Sequence, residues 1–126
     1  MDALLRSPTE IARRQLARVF LQQGAEAGLQ RLREVQASAP QILGESLTNL
    51  LGYHLLAQDK IAEAVEVFRR NVELHPESSN AYNSLAEGYL HAGDVERASD
   101  AYRRSVELDR RNVNSRWMLT QLANPS

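Results

Sequence analysis

His54, His75 and His91 are the chain's three histidines. Imidazole can serve as a general base or a metal ligand. A metal site on one helix face needs two ligands three or four residues apart, and no two of these histidines have that spacing. There is no cysteine, so thiolate ligands, thiolate nucleophiles and disulfides are excluded. Close carboxylates occur at Asp94/Glu96 and Glu63/Glu66. Arginines lie within helical reach: Glu66/Arg70 and Asp100/Arg104 have the favourable i, i+4 order, so these acids read as solvated surface. The six glycines never assemble a phosphate-binding loop. Neither Ser-x-x-Lys nor Gly-x-Ser-x-Gly is present. Arg13-Arg14 and Arg110-Arg111 are short basic pairs without interleaved aromatics, which is not the footprint of a nucleic-acid binder. The expectation is a chain that is not an enzyme, with no catalytic residue, no metal and no cofactor.

With no chemistry in view, recognition is the remaining class, and it needs a frame to hold its side chains. Residues Glu45–Ser78 and Ser79–Asn112 align at an offset of 34 residues with nine identities, among them Leu51/Leu85, Leu56/Leu90, Ala64/Ala98, Arg69/Arg103, Arg70/Arg104 and Val72/Val106. A fixed period of this length marks stacked supersecondary units. Leu51, Leu55 and Leu56, and again Leu85, Tyr89 and Leu90, have helical spacing. Ile61, Ala64, Val65, Phe68 and Val72 form a second stripe, as do Val95, Ala98, Tyr102 and Val106. Gln58-Asp59-Lys60 and Ala92-Gly93-Asp94 separate the stripes, with Gly93 as a C-cap and Asp59 and Asp94 as expected N-caps. His75-Pro76 ends the second helix, since the residue before proline avoids the helical region. Each unit therefore reads as an antiparallel helical hairpin.

These positions resemble the tetratricopeptide repeat (TPR), W-x₂-L-G-x₂-Y followed by A-x₃-F and P. The first unit supplies Thr48, Leu51, Gly52, Leu55, Ala64, Phe68 and Pro76; the second supplies Tyr82, Leu85, Ala86, Tyr89, Ala98 and Tyr102, with Arg110 in place of proline. Gly52/Ala86 and Ala64/Ala98 must be small where the two helices touch. Upstream, Ser7-Pro8-Thr9-Glu10 reads as a capped helix start with a capping box. Leu16, Ala17, Phe20, Gly28, Leu32 and Pro40 then fit the pattern loosely, with a shortened turn and two extra residues before Leu51. Gly28 within a helix costs about 1 kcal/mol against alanine, so this degenerate repeat is expected to be the softest. Asn112 or Asn114 can cap a last helix, Val113–Leu122.

The expected fold is all-α: a right-handed α-solenoid of about three TPR hairpins plus a C-terminal helix. It forms one TPR domain over residues 1–126, with a degenerate repeat at 7–40, repeats at 45–78 and 79–112, and the terminal helix at 113–123. From Ala17 to Leu122 the chain is also similar to the TPR tails of bacterial serine hydrolases of the β-lactamase-like and α/β-hydrolase kinds, where a segment like GAEAGLQRLREVQ precedes the clearer repeats. That resemblance implies an accessory module beside a hydrolase domain and carries no catalytic residue with it.

In a solenoid the first helix of each hairpin lines the concave face. The residues placed there are Arg14 and Arg18; Asn49 and Tyr53; Asn80, Asn83, Glu87 and His91; and Asn114, Trp117 and Gln121. Asparagine amides both donate and accept, which suits an extended peptide backbone, and Tyr53 and Trp117 can anchor a side chain. The expected partner is a protein or extended peptide. The clamp by which TPR domains hold the C-terminal carboxylate of heat-shock chaperones uses Lys, Arg and Asn on these helices. The second and third repeats offer no Lys or Arg there, which argues against it. The stripe Trp117, Met118, Leu119 and Leu122 is a candidate self-association surface, so the chain is expected to be a monomer or a weak homodimer. The net charge of −1 draws the chain toward neither nucleic acid nor membrane, but it is unevenly spread. Residues 1–40 hold six basic and four acidic residues, 41–78 three and six, and 79–126 six of each. No signal sequence or membrane helix is visible, which gives cytoplasmic as the default compartment.

Overall fold

The computed structural model describes residues 7–123, which form seven helices and no strand. The helices are α1 (Pro8–Gln23), α2 (Ala25–Ser38), α3 (Glu45–Ala57), α4 (Ile61–Leu74), α5 (Ser79–His91), α6 (Val95–Leu108) and α7 (Val113–Ala123). This is the expected all-α class of helical hairpins, the α-solenoid class. Among the described residues no helix is long and apolar enough to cross a membrane. The chain divides into two compact units, Met1–Val67 and Phe68–Ser126, so the boundary falls within α4.

In the first unit α1 starts as its sequence dictates. Ser7 Oγ accepts the Glu10 amide at 3.2 Å and Pro8 takes the first helical position, where no amide is needed. The second half of the capping box does not form, because the Glu10 carboxylate accepts from Arg14 Nη2 at 3.1 Å instead. Gly24 alone turns α1 into α2. It has φ +93°, and its N–H closes on the Phe20 carbonyl at 3.1 Å. The helices it joins pack together, and α1 also packs on α3. The buried apolar side chains are Leu16, Ala17, Phe20, Leu32, Leu43, Leu51, Leu55, Ala64, Val65 and Val67. Gly28 has a packing role that its helix propensity conceals: a Cβ there would lie inside the volume of the Phe20 ring. Thr48, where the repeat pattern prefers an aromatic, is fully buried and donates to the Gly44 carbonyl at 2.9 Å. It also accepts from buried Gln36 Nε2 at 3.4 Å.

The α3–α4 turn corrects one expectation. Asp59 does not N-cap α4. It stands at φ +61°, the left-handed position that Gly93 occupies at φ +80° in the next turn, and the Lys60 carbonyl begins the helix by accepting from Ala64 N–H. Asp94 caps as expected, accepting the Arg97 amide at 3.1 Å.

In the second unit α5 is capped by Ser78, whose hydroxyl accepts the Ala81 amide at 3.0 Å. α5 and α6 pack as a hairpin and α7 packs on α6. The core here is Ala86, Ala98, Ala101 and Tyr102, with Tyr89, Leu90, Met118, Leu119 and Leu122 packed against it. Ala86 and Ala98 are fully buried, as the repeat pattern requires of its small positions. One surface ion pair slips by one residue from that expected, and Arg70 gains a contact with Glu73. Asp100 binds Arg103 at 2.8 Å rather than Arg104, Arg104 turns to Glu107 at 3.4 Å, and Arg70 meets Glu73 at 3.8 Å. All are exposed at one or both ends, and such pairs contribute only tenths of a kcal/mol.

Candidate functional site

Each unit presents its own candidate surface on the first helices of its hairpins. In the first unit Arg14 and Arg18 are exposed, one helical turn apart on α1. They border a cleft of about 320 Å³ lined by Arg13, Arg14, Ala17, Arg18, Leu21, Gln22 and His54. Only Arg14 has an acidic partner among the described residues, Glu10. Like charges at i, i+4 destabilise a helix by about 0.2–0.5 kcal/mol, so the Arg14/Arg18 pair works slightly against its own helix. Asn49 and Tyr53, expected on the same surface, do not line the cleft. Asn49 Oδ1 is sealed from solvent and makes no hydrogen bond among the described residues, so it does not present an acceptor to an incoming backbone. Arg13, Gln22 and His54 were not singled out by the sequence pattern. Arg13 had a signal, since it forms a basic pair with Arg14. His54 had none, because only the packing of α3 on α1 brings it beside arginines some forty residues away in sequence.

In the second unit the asparagines divide by role. Asn83 Oδ1 accepts from Asn114 Nδ2 at 2.8 Å and lies 2.8 Å from Ser115 Oγ. This ties α5 to α7 and consumes the acceptor end of an amide expected to read a peptide. Around it lies a polar cluster that the sequence analysis missed. Ser79 and Ser105 exchange hydroxyl-to-carbonyl bonds, each 2.8 Å long. Asn112 Nδ2 donates to both hydroxyls, at 2.9 and 3.2 Å, and Asn112 Oδ1 caps α7 by accepting the Ser115 amide at 3.1 Å. The single Ser115 hydroxyl proton serves either Asn83 or Ser105, the latter 2.7 Å away. Ser105 and Ser115 are fully buried. The available signal was a polar residue inside an apolar stripe at equivalent places, Asn71 and Ser105, both fully buried.

Asn80, Asn114 and Gln121 are exposed, and Glu87 is half-buried. His91 is exposed, with Nδ1 2.9 Å from the Glu87 carbonyl. The stripe on α7 splits: Met118, Leu119 and Leu122 pack on the α5–α6 core, while Trp117 is 59% exposed. Trp117 borders a cleft of about 270 Å³ with Val113, Arg116 and Thr120.

Burial, and secondarily the nearby Glu87 charge, push the Tyr102 phenol up to about 12. A hydrogen bond to Tyr82, then one to Glu107, raise the Arg104 guanidinium, which also lies over the Tyr82 ring at 5.9 Å from its centroid. Hydrogen bonds from the Arg111 backbone and side chain lower the Asp109 carboxyl. None of these lies in either cleft. No group of three or more His, Cys, Asp or Glu able to hold a metal occurs among the described residues.

No curated protein matches the chain. Among solved structures, the fold is similar to the first TPR of Spaghetti (RPAP3) bound to the HSP90 peptide SRMEEVD, with a TM-score of 0.65 at 16% identity, covering 93% of this chain and 91% of that one. The first TPR domain of human RPAP3 gives the same TM-score and identity, with coverages of 91% and 89%. The structure of Naa15/Naa10 bound to HypK-THB gives a TM-score of 0.61 at 16% identity, covering 92% of this chain but 17% of that one. At these identities the likeness is one of fold. The tetratricopeptide repeat family model matches residues 49–113, half of the chain, a span that overlaps both stretches related by the 34-residue period. The chain belongs to the tetratricopeptide repeat family.

Proposed function

We propose that this chain is a non-catalytic scaffold that binds a protein or extended peptide through side chains on the first helices of its hairpins. The observation that carries this reading is Trp117. Its neighbours Met118, Leu119 and Leu122 pack inward, yet this one tryptophan stays 59% exposed beside a cleft. Exposed tryptophan is rare in a side chain that serves folding alone and frequent among the anchors of interfaces. Asn80, Asn114 and Gln121 supply amides on the same unit. The similar TPR fold solved with a peptide supports peptide as the ligand class.

The test is affinity capture from native lysate, read by mass spectrometry, with wild type beside Asn80→Ala/Trp117→Ala. A partner lost in the variant supports the reading. A partner retained at full yield moves binding away from these helices. The alternative of an accessory domain packed on a serine hydrolase rests on sequence resemblance alone. It gains only if the captured partner is such a hydrolase.

A further inference from the structure

We propose that the cleft of the first unit, where Arg13, Arg14, Arg18 and His54 surround Ala17 and Leu21, binds the acidic side chains of a peptide partner. This rests on the peptide-binding reading above and names the chemistry of one ligand segment. The argument begins from an imbalance of charge. Several other arginines of the chain sit beside acids within a turn: Arg31 with Glu34, Arg97 with Asp94, Arg103 with Asp100, Arg104 with Glu107. On α1 three guanidiniums share one carboxylate, Glu10, which is spent on Arg14. Arg13 and Arg18 have no acidic partner among the described residues, and both line the cleft. Two net positive charges are therefore gathered around one concavity, in the stretch of sequence that is itself basic.

The shape fits the same ligand. A volume of about 320 Å³ lies at the lower end of ligand pockets and holds one or two side chains rather than a folded surface. Ala17 and Leu21 give an apolar floor for the methylenes of a glutamate, while guanidinium groups offer paired donors to its carboxylate. Gln22 and His54 add further hydrogen-bonding groups to the lining. Nucleic acid satisfies the charge but not the lining. Single strands are held by stacking on aromatic rings, and no Phe, Tyr or Trp borders this cleft.

The experiment is fluorescence anisotropy of the full chain with a labelled, C-terminally amidated peptide of alternating glutamate and alanine. Wild type is compared with Arg13→Gln/Arg18→Gln. Both changes are neutral and helix-compatible, and circular dichroism checks that the variant keeps its helicity. The expected result is salt-sensitive binding to wild type that weakens about tenfold or more in the variant, as the loss of charge-assisted bonds implies. A peptide with glutamine for glutamate is expected not to bind. The proposal is overturned by equal affinity of wild type and variant, by equal binding of the glutamine peptide, by binding that requires a free C-terminal carboxylate, or by tighter binding of an oligothymidylate. Trp117 belongs to the other unit, so the two readings fail separately. Absence of acidic-peptide binding with capture still dependent on Trp117 sinks this inference alone. Acidic-peptide binding with capture indifferent to Asn80→Ala/Trp117→Ala removes the α7 surface and leaves this cleft.

Discussion

Asp59 holds a left-handed backbone that the equivalent turn gives to Gly93. For a residue with a Cβ that conformation costs about 1 kcal/mol, with aspartate among the more tolerant types. Asp59→Gly is expected to stabilise the protein by about 0.5 kcal/mol, seen as a small rise in melting temperature. A fall would show that the Asp59 side chain has a role its backbone does not reveal. Gly28 behaves oppositely. Helix propensity alone gives alanine an advantage of about 1 kcal/mol there, but the Phe20 ring occupies the space the new methyl needs. Overpacking of that kind costs about 1–3 kcal/mol, so Gly28→Ala is expected to lower stability in urea unfolding. The sequence marked both positions, but it could not show which glycine-like site held an aspartate under strain or which glycine made room for a ring.

Tyr102 adds a prediction in pH. Its phenol ionises near 12 when folded and near 10 when free. Between those values the unfolded chain loses its proton first, so alkali favours unfolding by about 1.4 kcal/mol for each pH unit. Below pH 10 both states keep the proton and the effect vanishes. Stability measured by denaturant melts should therefore be flat from neutral pH to the onset of tyrosine ionisation and fall above it. Tyr102→Phe should remove this group's share of the fall. A variant with the same alkaline slope would place the cause elsewhere.

At the scale of the element, the question is what holds α7 on the α5–α6 hairpin. Three apolar side chains, Met118, Leu119 and Leu122, dock on the α5–α6 core, and the Ser79–Ser105–Asn112 cluster fixes where the helix begins. Asn112→Ala removes the N-cap and two donors to serine hydroxyls, of which the Ser105 hydroxyl is fully buried. The expected loss is about 2 kcal/mol, with faster amide exchange in α7. Asn114→Ala, which removes one exposed bond to Asn83, should cost no more than about 0.5 kcal/mol. Equal losses for the two would mean that apolar docking alone positions the helix. The sequence announced the helices through period, stripe and cap. It did not announce this cluster, because serine hydroxyls become informative only when the fold brings Ser79 and Ser105, 26 residues apart, into contact. Nor did it announce the cleft, for His54 joins Arg13 and Arg18 only through the packing of α3 on α1.

At the scale of the molecule, the repeat made the architecture legible while leaving the surfaces ambiguous. The same apolar letter serves an inward-facing stripe or an exposed patch, and only packing separates them. On α7 that separation bears on oligomeric state. Four residues, Trp117, Met118, Leu119 and Leu122, were candidates for pairing one copy with another, and three of them are spent within the fold. The large apolar residues still exposed on that helix are Trp117 and Val113, at 59% and 76%. Even a fully buried aromatic contributes about 150–250 Å², whereas a stable interface needs about 800 Å² from each partner. Two side chains fall well short of that area, though they suffice to anchor a peptide, whose own backbone and side chains supply the rest. The chain is therefore expected to run as a monomer in light scattering at tens of micromolar, with Trp117→Ala changing capture of a partner and not the mass. A dimer at that concentration that Trp117→Ala dissolves would reverse the assignment, making α7 the seam between two copies.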